Sequence, residues 1–77
     1  MPKENTDSMM RNTIKVERAK KNLTQAELAE RIGVSRQAVN SIETGKFIPS
    51  TLLALRMAKV FEVLVEQIFQ LDEDQII

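Results

Sequence analysis

Apolar positions along this chain recur at spacings of three and four, the period of amphipathic helices, with polar and turn-forming residues between the clusters. The first such stretch predicts a helix over 12–21, with Ile14, Arg18 and Lys21 on one face. An arginine in the middle of a face that should be apolar is unusual and calls for a partner. The second helix has three agreeing start signals. Thr24 can accept a hydrogen bond from the third helical amide, Glu27 can reach back to the Thr24 amide, and Leu23 and Leu28 flank the start as a staple. It buries Leu28, Ala29 and Ile32 and stops at Gly33, a residue that tolerates the left-handed turn of a helix end.

A third helix begins almost at once. Ser35 caps it, Val34 and Val39 repeat the staple, and Ala38, Val39 and Ile42 form its inner face. Arg36, Gln37, Asn40 and Ser41 are left outside, and Gly45 lies just past the end. Residues 46–49 connect to a fourth helix over 51–61, capped by Ser50, with Leu53, Ala54, Met57, Ala58 and Phe61 inward. A short fifth helix is expected over 65–69, and residues 71–77 read equally as a short strand or a frayed tail. The expected organisation is an N-terminal extension over 1–8, a helical domain over 9–70 and an acidic tail over 71–77.

Only Gly33, Val34 and Ser35 separate the second and third helices. So short a linker forbids relaxed side-by-side packing and forces a steep crossing, the geometry of a helix-turn-helix. The third helix then projects its N-terminal end from the body. Such an end fits the major groove by diameter, and its free amides favour a phosphate nearby.

Composition narrows the chemistry. The 77 residues contain no Cys, His, Trp or Tyr, with 2 Gly and 2 Pro. Disulfides and thiolate or imidazole metal sites are excluded, and with them Cys or His catalysis. We expect no enzymatic activity, no metal and no cofactor. A hydrolase built on carboxylates such as Asp72 and Asp74 finds no support, because they fall in the tail. No apolar run approaches the roughly 20 residues that span a bilayer. The N-terminus is polar, unlike a secretory signal, so a cytoplasmic protein is expected. Net charge is zero, but its distribution is not even. Residues 1–61 hold all 11 Lys and Arg and 6 acids, a net of +5, and residues 62–77 hold 5 acids and no base. A basic body with an acidic tail hints at a polyanionic partner.

The run TQAELAERIGVSRQAVNSIETGKFIPS, Thr24 to Ser50, resembles the DNA-binding domain of the phage repressor and Cro family, also called the xenobiotic-response-element family. IKVERAKKNLTQ before it and PSTLLALRMAKVFEVLVEQIF after it extend the resemblance over about residues 10–69. It looks most like the short stand-alone bacterial and archaeal members. The resemblance implies an all-α, five-helix fold, with room for short terminal β-strands at a dimer interface. It implies that Arg36 and Gln37 read bases, with Asn40 and Ser41 as secondary contacts. It implies that Gln25, Ser35, Thr44 and Lys46 meet phosphates. Arg can bond both acceptors of guanine and Gln both groups of adenine, so the chemistry agrees. It also implies a partly buried ion pair between Arg18 and Glu43, which accounts for the inward arginine.

Three positions depart from the family pattern. Leu52 replaces an acid, Leu64 replaces a Pro or Ser, and Glu62 stands where Gly often closes the fourth helix. With Val65, Ile68, Phe69, Leu71, Ile76 and Ile77, the apolar surface exceeds what a small monomer should expose. A symmetric dimer is expected, with Leu64, Val65, Ile68, Phe69 and Leu71 at its interface, Met9 and Met10 joining as strands, and an inverted-repeat operator of double-stranded DNA. A small-molecule effector is not expected. The rivals are an antitoxin that also binds a toxin, and an adaptor that keeps the fold and binds only protein.

Overall fold

The computed structural model describes residues 10–72. Expectations placed on residues 1–9 and 73–77 (the extension, a strand starting at Met9, apolar surface from Ile76 and Ile77) lie outside the described residues. The element order is β1 (Met10–Asn12), α1 (Ile14–Lys21), α2 (Gln25–Ile32), α3 (Arg36–Glu43), α4 (Thr51–Phe61), α5 (Val65–Ile68) and β2 (Phe69–Leu71). The two strands pair antiparallel within the chain, with Met10 opposite Leu71, Arg11 opposite Gln70 and Asn12 opposite Phe69.

The local signals in the sequence act as their chemistry requires. The Thr24 hydroxyl accepts from the Glu27 amide at 3.0 Å, and Glu27 Oε1 accepts from the Thr24 amide at 2.9 Å. Ser35 accepts from the Ala38 amide and Ser50 from the Leu53 amide, each at 3.1 Å. Each cap satisfies an amide that the first helical turn would otherwise leave without a partner. α5 has half of such a box. Gln67 Oε1 accepts from the Leu64 amide at 2.8 Å, while leucine has no oxygen to return the bond.

Two boundaries differ from expectation. α1 starts at Ile14, because Asn12 is drawn into β1 and its side-chain oxygen accepts from the Ile14 amide at 3.1 Å. α5 ends at Ile68, because Phe69 takes an extended conformation and opens β2. The residues directly after α5 are therefore a strand, ending at Leu71, and β1 is its partner.

α2 and α3 make the most extensive helix-to-helix contact. At the turn between them Gly33 has φ +80°, and the amides of Gly33 and Val34 both bond the Ala29 carbonyl, at 2.9 and 3.0 Å. The core runs through all five helices. Ile14, Leu28, Ile32, Val39, Ile42, Met57 and Ile68 are its fully enclosed side chains, with Leu23, Ala29, Ala58 and Phe61 around them. Leu53 and Ala54, expected inside, are half-buried. Lys21 leaves the inward face and pairs with Glu62 just past α4, whose φ of +61° closes that helix without a glycine.

A Cβ added at Gly33 would meet only the end of Arg56, at 3.4 Å. Any penalty there is backbone strain rather than lack of room. Gly33→Ala should cost roughly 1–2 kcal/mol, the left-handed penalty of an L-residue. Calorimetry should show the melting temperature falling by about 4–8 °C per kcal/mol. An unchanged melting temperature would mean that the turn does not need this conformation.

Candidate nucleic-acid interface

The outer face of α3 is built by subtraction. Val39 and Ile42 point into the core, so the helical period turns Arg36, Gln37 and Asn40 outward, and all three are exposed. Ser41 is half-buried. Ser35 is exposed, and its oxygen already accepts the Ala38 amide, which leaves its O–H free to donate.

Behind this face lies a polar network. Arg18 Nε donates to Glu43 Oε2 at 2.7 Å and a second guanidinium nitrogen donates to Glu43 Oε1 at 3.2 Å. The third nitrogen donates to the Leu23 carbonyl at 2.9 Å. The side chains are only 15% and 10% exposed. This forked pairing is the strong form of a charge-assisted contact. Gln25 extends it. Its amide nitrogen donates to Glu43 Oε1 at 2.9 Å and to Asn40 Oδ1 at 3.1 Å, and its oxygen accepts from Arg36 at 3.2 Å. Arg18, Glu43, Gln25, Asn40 and Arg36 thus form one chain of hydrogen bonds from the interior to the exposed helix tip. Among the described residues Gln37 has no such tether.

Burial raises the pKa of Glu43, but the hydrogen bonds from Arg18 and Gln25 and the charges of Arg18 and Lys15 outweigh it. The net result lies below the ordinary 4.5. The carboxylate is therefore held ionised opposite its arginine.

Two of the residues assigned to phosphates are already engaged. Both amide hydrogens of Gln25 are spent within the protein, so a phosphate would have to displace one of them or use the free amides at the start of α2. The Thr44 hydroxyl donates to the Asn40 carbonyl at 2.9 Å, which uses its one hydrogen. Lys46 is exposed beyond the end of α3, and its amide bonds the Ser41 carbonyl at 2.9 Å.

Some residues that shape the site gave no clear signal in the sequence. Asn12 donates to the carbonyls of Ile42 and Glu43, at 3.1 and 3.4 Å, and so ties β1 to the end of α3. Its position before Thr13 and Ile14 resembles a helix start, which hid this role. Arg56 donates to the Ile32 carbonyl at 3.1 Å and closes the end of α2. Glu17 is buried, with Lys20 3.5 Å away. Phe47, read as a connector residue, is 56% exposed beside α3.

The residues expected at a dimer interface divide. Leu64 and Leu71 are exposed, at 66% and 58%, and Val65 and Phe69 are half-buried. Ile68 is 0% exposed. It packs inside its own chain and supports that surface from behind rather than presenting itself to a partner. Val65 and Phe69 line an open apolar groove of about 460 Å³ with Met10, Ile48, Ala54 and Leu55.

The fold and this face define a helix-turn-helix protein. Residues 14–68 match the helix-turn-helix family of Cro/C1 type, and the chain belongs to that family of DNA-binding transcriptional regulators. It is 48% identical over 66 residues to an uncharacterized HTH-type transcriptional regulator of Methanocaldococcus jannaschii, covering 86% of this chain and 100% of the relative. It is 43% identical over 65 residues to another, YgzD of Bacillus subtilis, covering 84% and 98%. Among solved structures, that of a candidate DNA-binding protein from Bacteroides fragilis superposes with a TM-score of 0.73 at 32% identity, covering 80% of this chain and 100% of that one.

The ion pair makes two measurable demands. Arg18→Met strands the Glu43 carboxylate and should cost up to about 3 kcal/mol. Combining it with Glu43→Leu should restore part of that loss, whereas additive losses in a double-mutant cycle would mean no coupling. The folded protein also holds the Glu43 proton less readily than the unfolded chain. Its contribution is complete above 4.5 and is lost as pH falls through the lower folded value. Glu43→Gln should flatten the acid limb of a stability–pH profile, and an unaltered limb would assign that limb to other groups.

Proposed function

We propose that this protein is a cytoplasmic, non-enzymatic repressor that binds double-stranded DNA as a homodimer and reads an inverted-repeat operator with the first two turns of α3. The exposure of Arg36, Gln37 and Asn40 on a helix tip held by its own polar network is the observation that supports this reading most. Arg36 and Gln37 read base edges, and Asn40 and Ser41 add contacts one turn on. Gln25, Ser35, Thr44 and Lys46 meet phosphates and set register without reading sequence. Gln25 and Thr44 each do so by exchanging an internal bond for a phosphate oxygen.

A homodimer is supported by the exposed leucines at positions 64 and 71 and by the apolar groove between the start of α4, α5 and the sheet. Two-fold symmetry would set the two α3 helices about 34 Å apart, one turn of DNA. No helix of the described residues is long and apolar enough to cross a membrane.

Selection of bound sequences from random duplex DNA tests the function directly. A palindrome should emerge, and affinity should fall steeply with salt as counterions are released. Arg36→Ala should relax preference at one base pair per half-site, at a cost of about 1–3 kcal/mol. Lys46→Ala should weaken all sequences alike and reduce the salt slope by about 1 per contact. Absence of any enriched sequence would overturn the reading and favour the adaptor. In sedimentation at micromolar concentration the protein should run as two chains, and Leu64→Glu should give single chains that melt independently of concentration. A single-chain species in the unaltered protein would remove the dimer.

A further inference from the structure

We propose that Phe47, with the side of α3 next to it, receives the C5 methyl group of a thymine in the operator, so that one base pair per half-site is chosen by apolar contact rather than hydrogen bonding. This rests on the DNA-binding reading above and adds to it a named residue and a named base.

The chain has three aromatic residues, all Phe. Phe61 is enclosed in the core and Phe69 is half-buried, but Phe47 leaves 56% of its surface in water. Its position is not that of a trailing loop. The amides of Lys46 and Phe47 both bond the Ser41 carbonyl, at 2.9 and 3.2 Å, which folds the connector back against the end of α3. Phe47 then closes one side of an open cleft of about 320 Å³, whose other walls are Ser35, Gln37, Ala38, Ser41 and Lys46. Ser35, Ala38 and Ser41 are three residues apart and so share one flank of the helix. The cleft has the Ala38 methyl and the phenyl ring as apolar surfaces, Gln37 at its outer rim and a lysine beside it.

The other flank of α3 is where Gln25 holds Arg36 and Asn40. One side of the reading helix is thus a hydrogen-bonding surface and the other a small apolar recess. Thymine is the base that displays an apolar group in the major groove, and alanine and phenylalanine side chains are the kinds that contact it. A purine edge in the same place would set an unpaired donor or acceptor against the ring, which costs free energy, and a cytosine, with hydrogen at C5, would leave the recess unfilled. Lys46, on the rim of the recess, is suited to a phosphate of the strand carrying that thymine.

Deoxyuridine differs from thymidine only by this methyl, so the test is made on the selected operator with each thymine replaced in turn. At one position per half-site, the unaltered protein should lose about fourfold in affinity per half-site, the worth of one buried methyl. Phe47→Ser should bind the thymidine and deoxyuridine operators equally, at the weaker level. Phe47→Leu, still apolar, should keep part of the discrimination. Because the ring is exposed, melting temperature and sedimentation of Phe47→Ser should match the parent. Tolerance of deoxyuridine at every position would overturn the inference and leave the DNA-binding reading intact. So would discrimination that persists in Phe47→Ser. A change in the oligomeric state of Phe47→Ser would assign the ring to a protein contact and overturn it as well. If no sequence is enriched at all, both readings fall together.

Discussion

A guanidinium bound on three sides holds the α1–α2 connector and the far end of α3 in fixed relation. Arg18 reaches Glu43 with two nitrogens and the Leu23 carbonyl with the third. Glu43 Oε1 accepts from Gln25 of α2 as well as from Arg18, and Gln25 passes the constraint on to Arg36 and Asn40. The side chains at the tip of α3 are therefore oriented by a charge pair at its other end. The apolar core alone could not do this. Val39 and Ile42 fix how deeply α3 sits, but such packing is non-directional, and rotamers at the surface need a hydrogen bond to choose among them.

Local chemistry explains why so much of the fold was readable from the chain. Each cap at Thr24, Ser35 and Ser50 involves residues three apart, and the Gly33 turn is closed by bonds to Ala29. Signals confined to one helical turn are written in consecutive letters, so the starts of α2, α3 and α4 could be placed. The missed features are contacts between residues far apart in sequence. Asn12 binds carbonyls thirty residues away, and Arg56 caps a helix twenty-four residues earlier. No periodicity can announce such contacts. Asn12 in particular sits where a helix-start residue would, so its local and distant roles look alike in the sequence.

The site was legible by type and less so by state. The outward direction of Arg36, Gln37 and Asn40 follows from the inward direction of Val39 and Ile42. The sequence did not show that Gln25 and Thr44 would already be saturated with internal bonds. Nor did it single out Ile68, whose place next to exposed leucines suggested a surface role that its complete enclosure denies. Burial at a four-residue helix depends on what lies beneath it, and no spacing rule reaches that far.

The anchoring of α3 by Asn12 has a mechanical corollary. Asn12 belongs to a strand of three residues, and its pairing partner Phe69 lies on the opposite strand and lines the apolar groove. The ladder, the groove and the last turn of α3 are therefore joined through Asn12 and Phe69. Spreading the two terminal strands would uncover the carbonyls of Ile42 and Glu43 and loosen the helix from its base.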